Sequence, residues 1–261
     1  LVKLVPRAGV LVVPADDARV ARLVEAARCR VVRFGPGPEA DFGFGEREDL
    51  PEGQELTLWR GGALLGRTWL PLAGAHNARN ACAALAAFEA AGGDPEQALA
   101  KLSRFEPPRR RLERVARGGG AELYDDFAHH PTAVRHTIEA LRAATGREGR
   151  VVACLEPRSN TMTRALVREA LCEALSGADL VFLGPVHRPE RYGPGEGLDV
   201  AALVAELGRL GVAAYGPWSP GEIRAGVLKE RRPGDRIVVM TNGSFGGLTA
   251  ALTEVLEQED S

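Results

Sequence analysis

The chain has 261 residues, 45% of them hydrophobic and 26% charged, with a formal net charge of −2. That length suffices for two domains of ordinary size or one large one, and charge this balanced and scattered excludes a basic nucleic-acid-binding surface. No apolar run approaches the roughly 18 residues of a membrane span and the first residues form no signal peptide, so the expectation is a cytoplasmic protein without membrane or nucleic-acid partners.

Position 1 is Leu rather than Met, and Leu1 to Pro6 reads like the end of an element already under way, which predicts a piece of a longer protein. Gly9 to Pro14 is a short apolar run rich in β-branched residues and reads as a buried strand. Asp16 is the expected cap of a helix to about Arg28, with Val20, Leu23, Val24 and Ala27 on its apolar side. Arg30 to Phe34 is the next strand. Gly35 to Leu50, rich in Gly, Pro and acid, is expected to be loop or irregular edge. Gly61-Gly62 supplies the turn of a hairpin joining Glu55–Arg60 to Ala63–Leu72.

Gly74-Ala75-His76-Asn77-Ala78-Arg79-Asn80 leads into an alanine-rich helix that ends at Gly92-Gly93. Asn77 and Asn80 stand three apart on one face near the helix start, where backbone N–H groups are free. Asn is a poor choice in a helix interior. Capping accounts for one of the two; a binding site accounts for both, because an amide offers a donor and an acceptor to an adenine-like edge. Asp94-Pro95 starts another helix to about Phe105, and Glu106-Pro107-Pro108 is the expected boundary between domains 1–107 and 108–261. Next come Arg109, Arg110 and Arg111: the first reads as a solvated turn, and one of the other two is placed to reach a phosphate.

From here strands and helices alternate. A hairpin joins Leu112–Ala116 to Ala121–Phe127 through Gly118 to Gly120. Helices at 131–144, 164–176, 199–209, 220–230 and 245–257 then interleave with strands at 150–155, 179–183, 211–215 and 235–240. This alternation predicts an α/β fold with a parallel, doubly wound sheet, whose ligands sit outside the carboxyl ends of the strands. Beyond those ends the chain is polar in four cases: His129-His130, Glu156 to Met162, Gly184 to Arg188, and Thr241 to Gly247. Four donor-rich stretches at one edge predict a binding face. The stretch Leu123 to Pro131 sets Asp125, Asp126, His129 and His130 behind an apolar strand at a helix entrance, a common place for chemistry. Asp126 as a turn residue, solvated histidines and Pro131 at a first helical position are the structural alternatives. Gly243, Gly246 and Gly247 read equally as ordinary loop and helix-start glycines. The cysteines, Cys29, Cys82, Cys154 and Cys172, are widely spaced and read as free thiols.

Taken together, Gly74-x-His76-Asn77-x-x-Asn80-x-x-Ala83-Ala84, Arg110-Arg111-Leu112-Glu113, the run from Tyr124 to Thr132, Glu156 to Met162, and Asn242-Gly243-x-Phe245-Gly246-Gly247 resemble the Mur ligase family of peptidoglycan synthesis. The resemblance covers nearly the whole chain, most strongly from Gly74 onward. The last two stretches are similar to the recycling branch of the family, which joins UDP-N-acetylmuramate to the murein tripeptide L-alanyl-γ-D-glutamyl-meso-diaminopimelate using ATP; the branch that adds L-alanine shares the Asp-His-His element. The family implies an N-terminal UDP-sugar domain, a central ATPase and a C-terminal Rossmann-like domain. This sequence lacks the Gly-x-x-Gly-Lys-Ser/Thr phosphate loop and the acidic segment that helps hold magnesium. It therefore resembles the last part of the central domain joined to the whole C-terminal one.

By resemblance, Asn77 and Asn80 face adenine, Arg111 meets the phosphates, and Asp126 meets the ribose or phosphate side of ATP, Arg111 and Asp126 being the catalytic pair. Mg2+ is expected mainly on residues upstream. His129, Arg158, Ser159, Asn160, Thr161 and the turn Asn242, Gly243, Ser244 and Phe245 face the incoming peptide, with His130 either beside them or structural. The implied activity is an ATP-dependent amide ligase acting through an acyl phosphate, inactive in this stretch alone. A non-catalytic Rossmann-like module binding a peptide or nucleotide is the alternative. So is a metal site on Asp125, His129, His130 and His136, although their spacing lacks a convincing ligand geometry.

Overall fold

The computed structural model describes residues 2–50, 52–145 and 149–259, so Leu1 lies outside the described residues. The chain divides into two compact units, Leu1–Pro107 and Pro108–Ser261.

In the first unit, a 3-10 turn at Val2–Leu4 precedes β1 (Val10–Pro14), α1 (Ala18–Val24), β2 (Arg30–Pro36), β3 (Phe42–Leu50), β4 (Gly53–Arg60), β5 (Ala63–Leu70), α2 (Ala75–Ala90) and α3 (Pro95–Leu102). The five strands form one sheet in chain order, parallel from β1 to β3 and antiparallel beyond. The alanine-rich α2 buries Ala78, Ala81, Cys82, Leu85 and Ala86, which pack with Phe42, Phe44, Leu56 and Leu58 of the sheet. Small side chains let the helix lie close, and each fully buried leucine contributes about 1.5–3 kcal/mol.

Two expectations fail here. The stretch expected as loop carries β3: Phe42 and Phe44 are buried, and their glycine neighbours answer close approaches. A Cβ at Gly43 would fall 1.9 Å from the Gly37 carbonyl oxygen, and one at Gly45 would lie 3.0 Å from the Trp59 ring. Helix α1 is also shorter than its periodicity suggested, with Leu23 60% exposed. Its cap is Asp17, which accepts the N–H of Arg19 at 2.8 Å. Asp16 instead takes the guanidinium of Arg79 on α2 through both carboxylate oxygens.

The second unit runs β6 (Glu113–Gly118), β7 (Ala121–Asp126), α4 (Pro131–Thr145), β8 (Val151–Leu155), α5 (Arg168–Leu175), β9 (Leu180–Leu183), α6 (Val200–Arg209), β10 (Ala213–Tyr215), α7 (Pro220–Glu230), β11 (Arg236–Met240) and α8 (Leu248–Glu259). Its sheet has the order β10-β9-β8-β11-β7-β6, all parallel except β6. Helices cover both faces, so β8 is buried along its whole length. Val134, Ile138, Leu171 and Leu203 of α4, α5 and α6 pack with Tyr124, Ala153 and Val181. Ile223, Val227, Leu252 and Leu256 of α7 and α8 pack with Leu123, Val152 and Val239. The doubly wound sheet holds as expected. Local chemistry agrees with it: Ser219 and Glu222 form a reciprocal capping box on α7, with Pro220 in the first turn. Helices α5 and α8 begin later than expected, each after a 3-10 turn, at Ala165–Val167 and Phe245–Gly247. Among the described residues no helix is long and apolar enough to cross a membrane.

Candidate functional site

In the sheet order, β9, β8, β11 and β7 are neighbours and parallel, so the four polar stretches beyond their carboxyl ends share one rim. Asp126, the last residue of β7, is 6% exposed. Its Oδ2 accepts the Leu112 N–H at 2.7 Å; its Oδ1 accepts the Ala128 N–H at 2.7 Å and the Thr137 hydroxyl at 3.2 Å. Burial pushes its carboxyl above the usual range, against the three hydrogen bonds and the charge of Arg111. Asp126, expected at the ribose or phosphate side of the nucleotide, here accepts three hydrogen bonds from the protein and braces the loop that carries Arg111.

That loop is unusual. Arg110 and Leu112, neither of them glycine, sit at φ +60° and +51°. Arg110 donates its N–H to Glu113 and accepts the Phe127 N–H, both near 2.7–2.8 Å. The Arg110 guanidinium reaches Asp125 at 3.2 Å and the Thr241 carbonyl at 2.6 Å. Burial pushes the half-buried Asp125 up, with Arg110 opposing. Arg111, between them, is exposed, lies 5.9 Å from the Phe127 ring centroid, and finds no hydrogen-bond partner among the described residues.

Farther along, the His129 Nδ1 lies 2.7 Å from the Phe127 carbonyl and its ring meets Phe127 edge-on at 5.1 Å. The His129 carbonyl accepts the Ser159 hydroxyl at 2.8 Å, and Ser159 Oγ in turn accepts the Met162 N–H at 3.2 Å. Ser159 therefore joins two loops of the rim. His130 is exposed and its Nδ1 accepts the Thr132 N–H at 3.3 Å at the start of α4. Arg158 Nη1 lies 3.4 Å from both Glu156 Oε1 and His187 Nδ1. Glu156 Oε2 accepts the Thr241 hydroxyl, whose oxygen accepts the Gly243 N–H at 2.9 Å. A Cβ at Gly243 would fall 2.5 Å from Arg158 Nε, so glycine here admits the guanidinium. The Asn242 Oδ1 is buried without a hydrogen-bond partner among the described residues.

The fold thus brings together His129, Arg158, Ser159, Asn242 and Gly243. Asn160, Thr161 and Ser244 are exposed on the same loops. The Phe245 side chain does not join them: at 1% exposure it packs into the core under α7 and α8 and against Gly184. Two rim residues were missing from the expected set. His187 was signalled by the polar stretch Gly184 to Arg188; Arg110 was signalled by the arginine triplet. In the first unit, the Asn77 amide donates to the Ala73 carbonyl at 2.8 Å and its oxygen accepts from Asn80 at 3.4 Å, leaving Asn80 exposed. Gln54, fully buried, donates to the Leu72 and Gly74 carbonyls and Asp49 accepts the Gly74 N–H, which together set the start of α2. No group of three or more His, Cys, Asp or Glu among the described residues stands close enough to hold a metal. The alternative of a metal on Asp125, His129, His130 and His136 is not assembled.

The fold and its rim define a two-unit α/β protein whose second unit is Rossmann-like. Residues 1–88 match the family profile described as Mur ligase middle domain, and residues 110–243 match Mur ligase, glutamate ligase domain. The chain belongs to the Mur ligase family. It is 34% identical over 261 residues to UDP-N-acetylmuramate–L-alanyl-γ-D-glutamyl-meso-2,6-diaminoheptandioate ligase of Escherichia coli, covering 99% of this chain and 54% of the relative. It is 33% identical to UDP-N-acetylmuramate–L-alanine ligase of Symbiobacterium thermophilum, covering 95% of this chain and 52% of that one. A murein peptide ligase from Psychrobacter arcticus shares the fold at a TM-score of 0.69 and 24% identity, over 98% of this chain and 52% of its own. The chain spans about half the length of the curated relatives it matches.

Proposed function

We propose that this chain is part of an ATP-dependent amide ligase that joins UDP-N-acetylmuramate to L-alanyl-γ-D-glutamyl-meso-diaminopimelate in peptidoglycan recycling in the cytoplasm. Residues 1–107 serve as the C-terminal part of the ATP-binding domain and 108–261 as the acceptor domain. The observation that carries this reading is the rim itself. Arg158, set between Glu156 and His187 and admitted by Gly243, presents a cation to a peptide carboxylate. The relative from Escherichia coli, whose name carries this substrate, aligns over nearly the whole chain.

ATP, with Mg2+, supplies the phosphoryl group that turns the muramate carboxylate into an acyl phosphate, from which the peptide amine displaces phosphate. The exposed Asn80 amide fits an adenine edge, with Asn77 bracing it. The exposed Arg111 guanidinium fits a phosphate, with Asp126 holding its loop. No magnesium ligand is assigned among the described residues, and this stretch by itself is expected to hold the acceptor weakly without turnover.

The L-alanine-adding reaction is the second reading, favoured by the relative from Symbiobacterium thermophilum. The test is expression of the complete open reading frame and measurement of ATP-dependent product from UDP-N-acetylmuramate with tripeptide or with L-alanine. Product with L-alanine alone selects the second reading. Product with neither leaves a binding module.

A further inference from the structure

Two of three consecutive residues, Arg110 and Leu112, adopt the left-handed conformation without being glycine, which costs on the order of 1 kcal/mol each and persists only when the surroundings over-determine it. The surroundings do so here. Leu112 is tied through its N–H to Asp126, and Arg110 through its N–H to Glu113 and its carbonyl to the Phe127 N–H. The Arg110 guanidinium adds a side-chain tie to two strands, forked between Asp125 of β7 and the carbonyl of Thr241 just beyond β11. Thr241 is in turn the residue whose hydroxyl binds Glu156, the partner of Arg158. Arg111 is the residue these ties leave with an exposed guanidinium, set over the Phe127 ring and without a hydrogen-bond partner among the described residues.

We propose that Arg110 is a positioning residue: its guanidinium pins the strained 110–112 loop to the ends of β7 and β11, and so sets the direction in which Arg111 offers its charge to a phosphate. The phosphate target rests on the function proposed above; the pinning does not. A lysine at 110 reaches Asp125 or the Thr241 carbonyl with a point charge, whereas the planar fork of arginine satisfies both at once. Losing charge-assisted hydrogen bonds of this kind frees a loop by a factor of about ten or more.

The test has two readouts. In this chain, amide hydrogen exchange at Leu112 and Phe127 is expected to accelerate about tenfold in Arg110→Ala, and by less in Arg110→Lys, while the amides of Ile237 to Val239 in β11 keep their protection. In the protein expressed from the complete open reading frame, Arg110→Ala and Arg110→Lys are expected to lower kcat by about tenfold or more, with the KM for the acceptor within about twofold of wild type. Arg110→Ala combined with Arg111→Lys is expected to be no slower than Arg111→Lys alone, because the first residue acts through the second. Unchanged exchange at Leu112 overturns the pinning. Faster exchange with unchanged kcat, or rate losses that multiply in the double variant, overturns the positioning role. A wild-type protein without ligase activity overturns the function reading and the phosphate target, and the exchange data decide the pinning regardless.

Discussion

The Oδ2 of Asp126 and the backbone N–H of Leu112 meet at 2.7 Å, tying the last residue of β7 to a loop held at φ +51°. Removing that carboxylate strands three donors at once: the half-buried Leu112 N–H, the buried Ala128 N–H and the buried Thr137 hydroxyl. Asp126→Ala is therefore expected to lose about 2–4 kcal/mol of stability and to abolish ligation in the complete protein. Urea unfolding and turnover measured on the same preparation check it. A stable, fully active variant would refute the bracing role.

Gly243 and Arg158 make a second prediction. A methyl group at 243 would sit 2.5 Å from the Arg158 Nε, so either the turn or the guanidinium must give way. Gly243→Ala and Arg158→Ala are each expected to raise the KM for the acceptor about tenfold, with the KM for ATP unchanged. Steady-state kinetics with each substrate varied separately distinguishes the acceptor effect from a general loss.

Glu122 lies at the other end of β7, 8% exposed, within 2.7 Å of Arg117, 3.1 Å of Arg114, 3.4 Å of Arg236 and 2.8 Å of the Tyr124 hydroxyl. Burial alone would raise its pKa; the Tyr124 hydroxyl and the arginines outweigh it, so the folded value lies below the ordinary one. A depressed folded pKa contributes stability above the unfolded value of about 4.3 that is lost as pH falls through the folded value. Glu122→Gln should cost about 2–4 kcal/mol at pH 7 and flatten the decline of stability below about pH 4.5. Denaturation midpoints at pH 7 and pH 4 provide the comparison, and a variant with the wild-type slope would exclude Glu122 as its source.

Thiol reactivity reports on the two cores separately. Burial pushes the Cys82 thiol up to about 12 and raises Cys154 and Cys172 as well, whereas Cys29 is half-exposed. Iodoacetamide at pH 8 is expected to label Cys29 first, with the other three reacting only in denaturant. Mass spectrometry of the labelled peptides reads this directly; prompt labelling of Cys82 would mean that α2 lifts from its sheet.

What the residues alone determined were the features that depend on near neighbours. The Gly61-Gly62 turn, the alternation that became the doubly wound sheet, and the four polar stretches beyond its strands are set by turn chemistry and hydrophobic period, which act within a few residues. Strand β3 escaped because its glycines look like loop until the approach of Trp59 and Gly37 gives them a reason. The split of the rim into groups that brace and groups that face solvent escaped for the same cause. Asp126, Ser159 and His130 are polar in sequence whether or not a backbone N–H occupies them, and Phe245 reads as a turn aromatic until Gly184 and the α7–α8 core close over it. Which oxygen is spent and which guanidinium is free is decided by partners up to 131 residues away, as for Arg110 and the Thr241 carbonyl. Only the packed chain brings those partners within hydrogen-bonding distance.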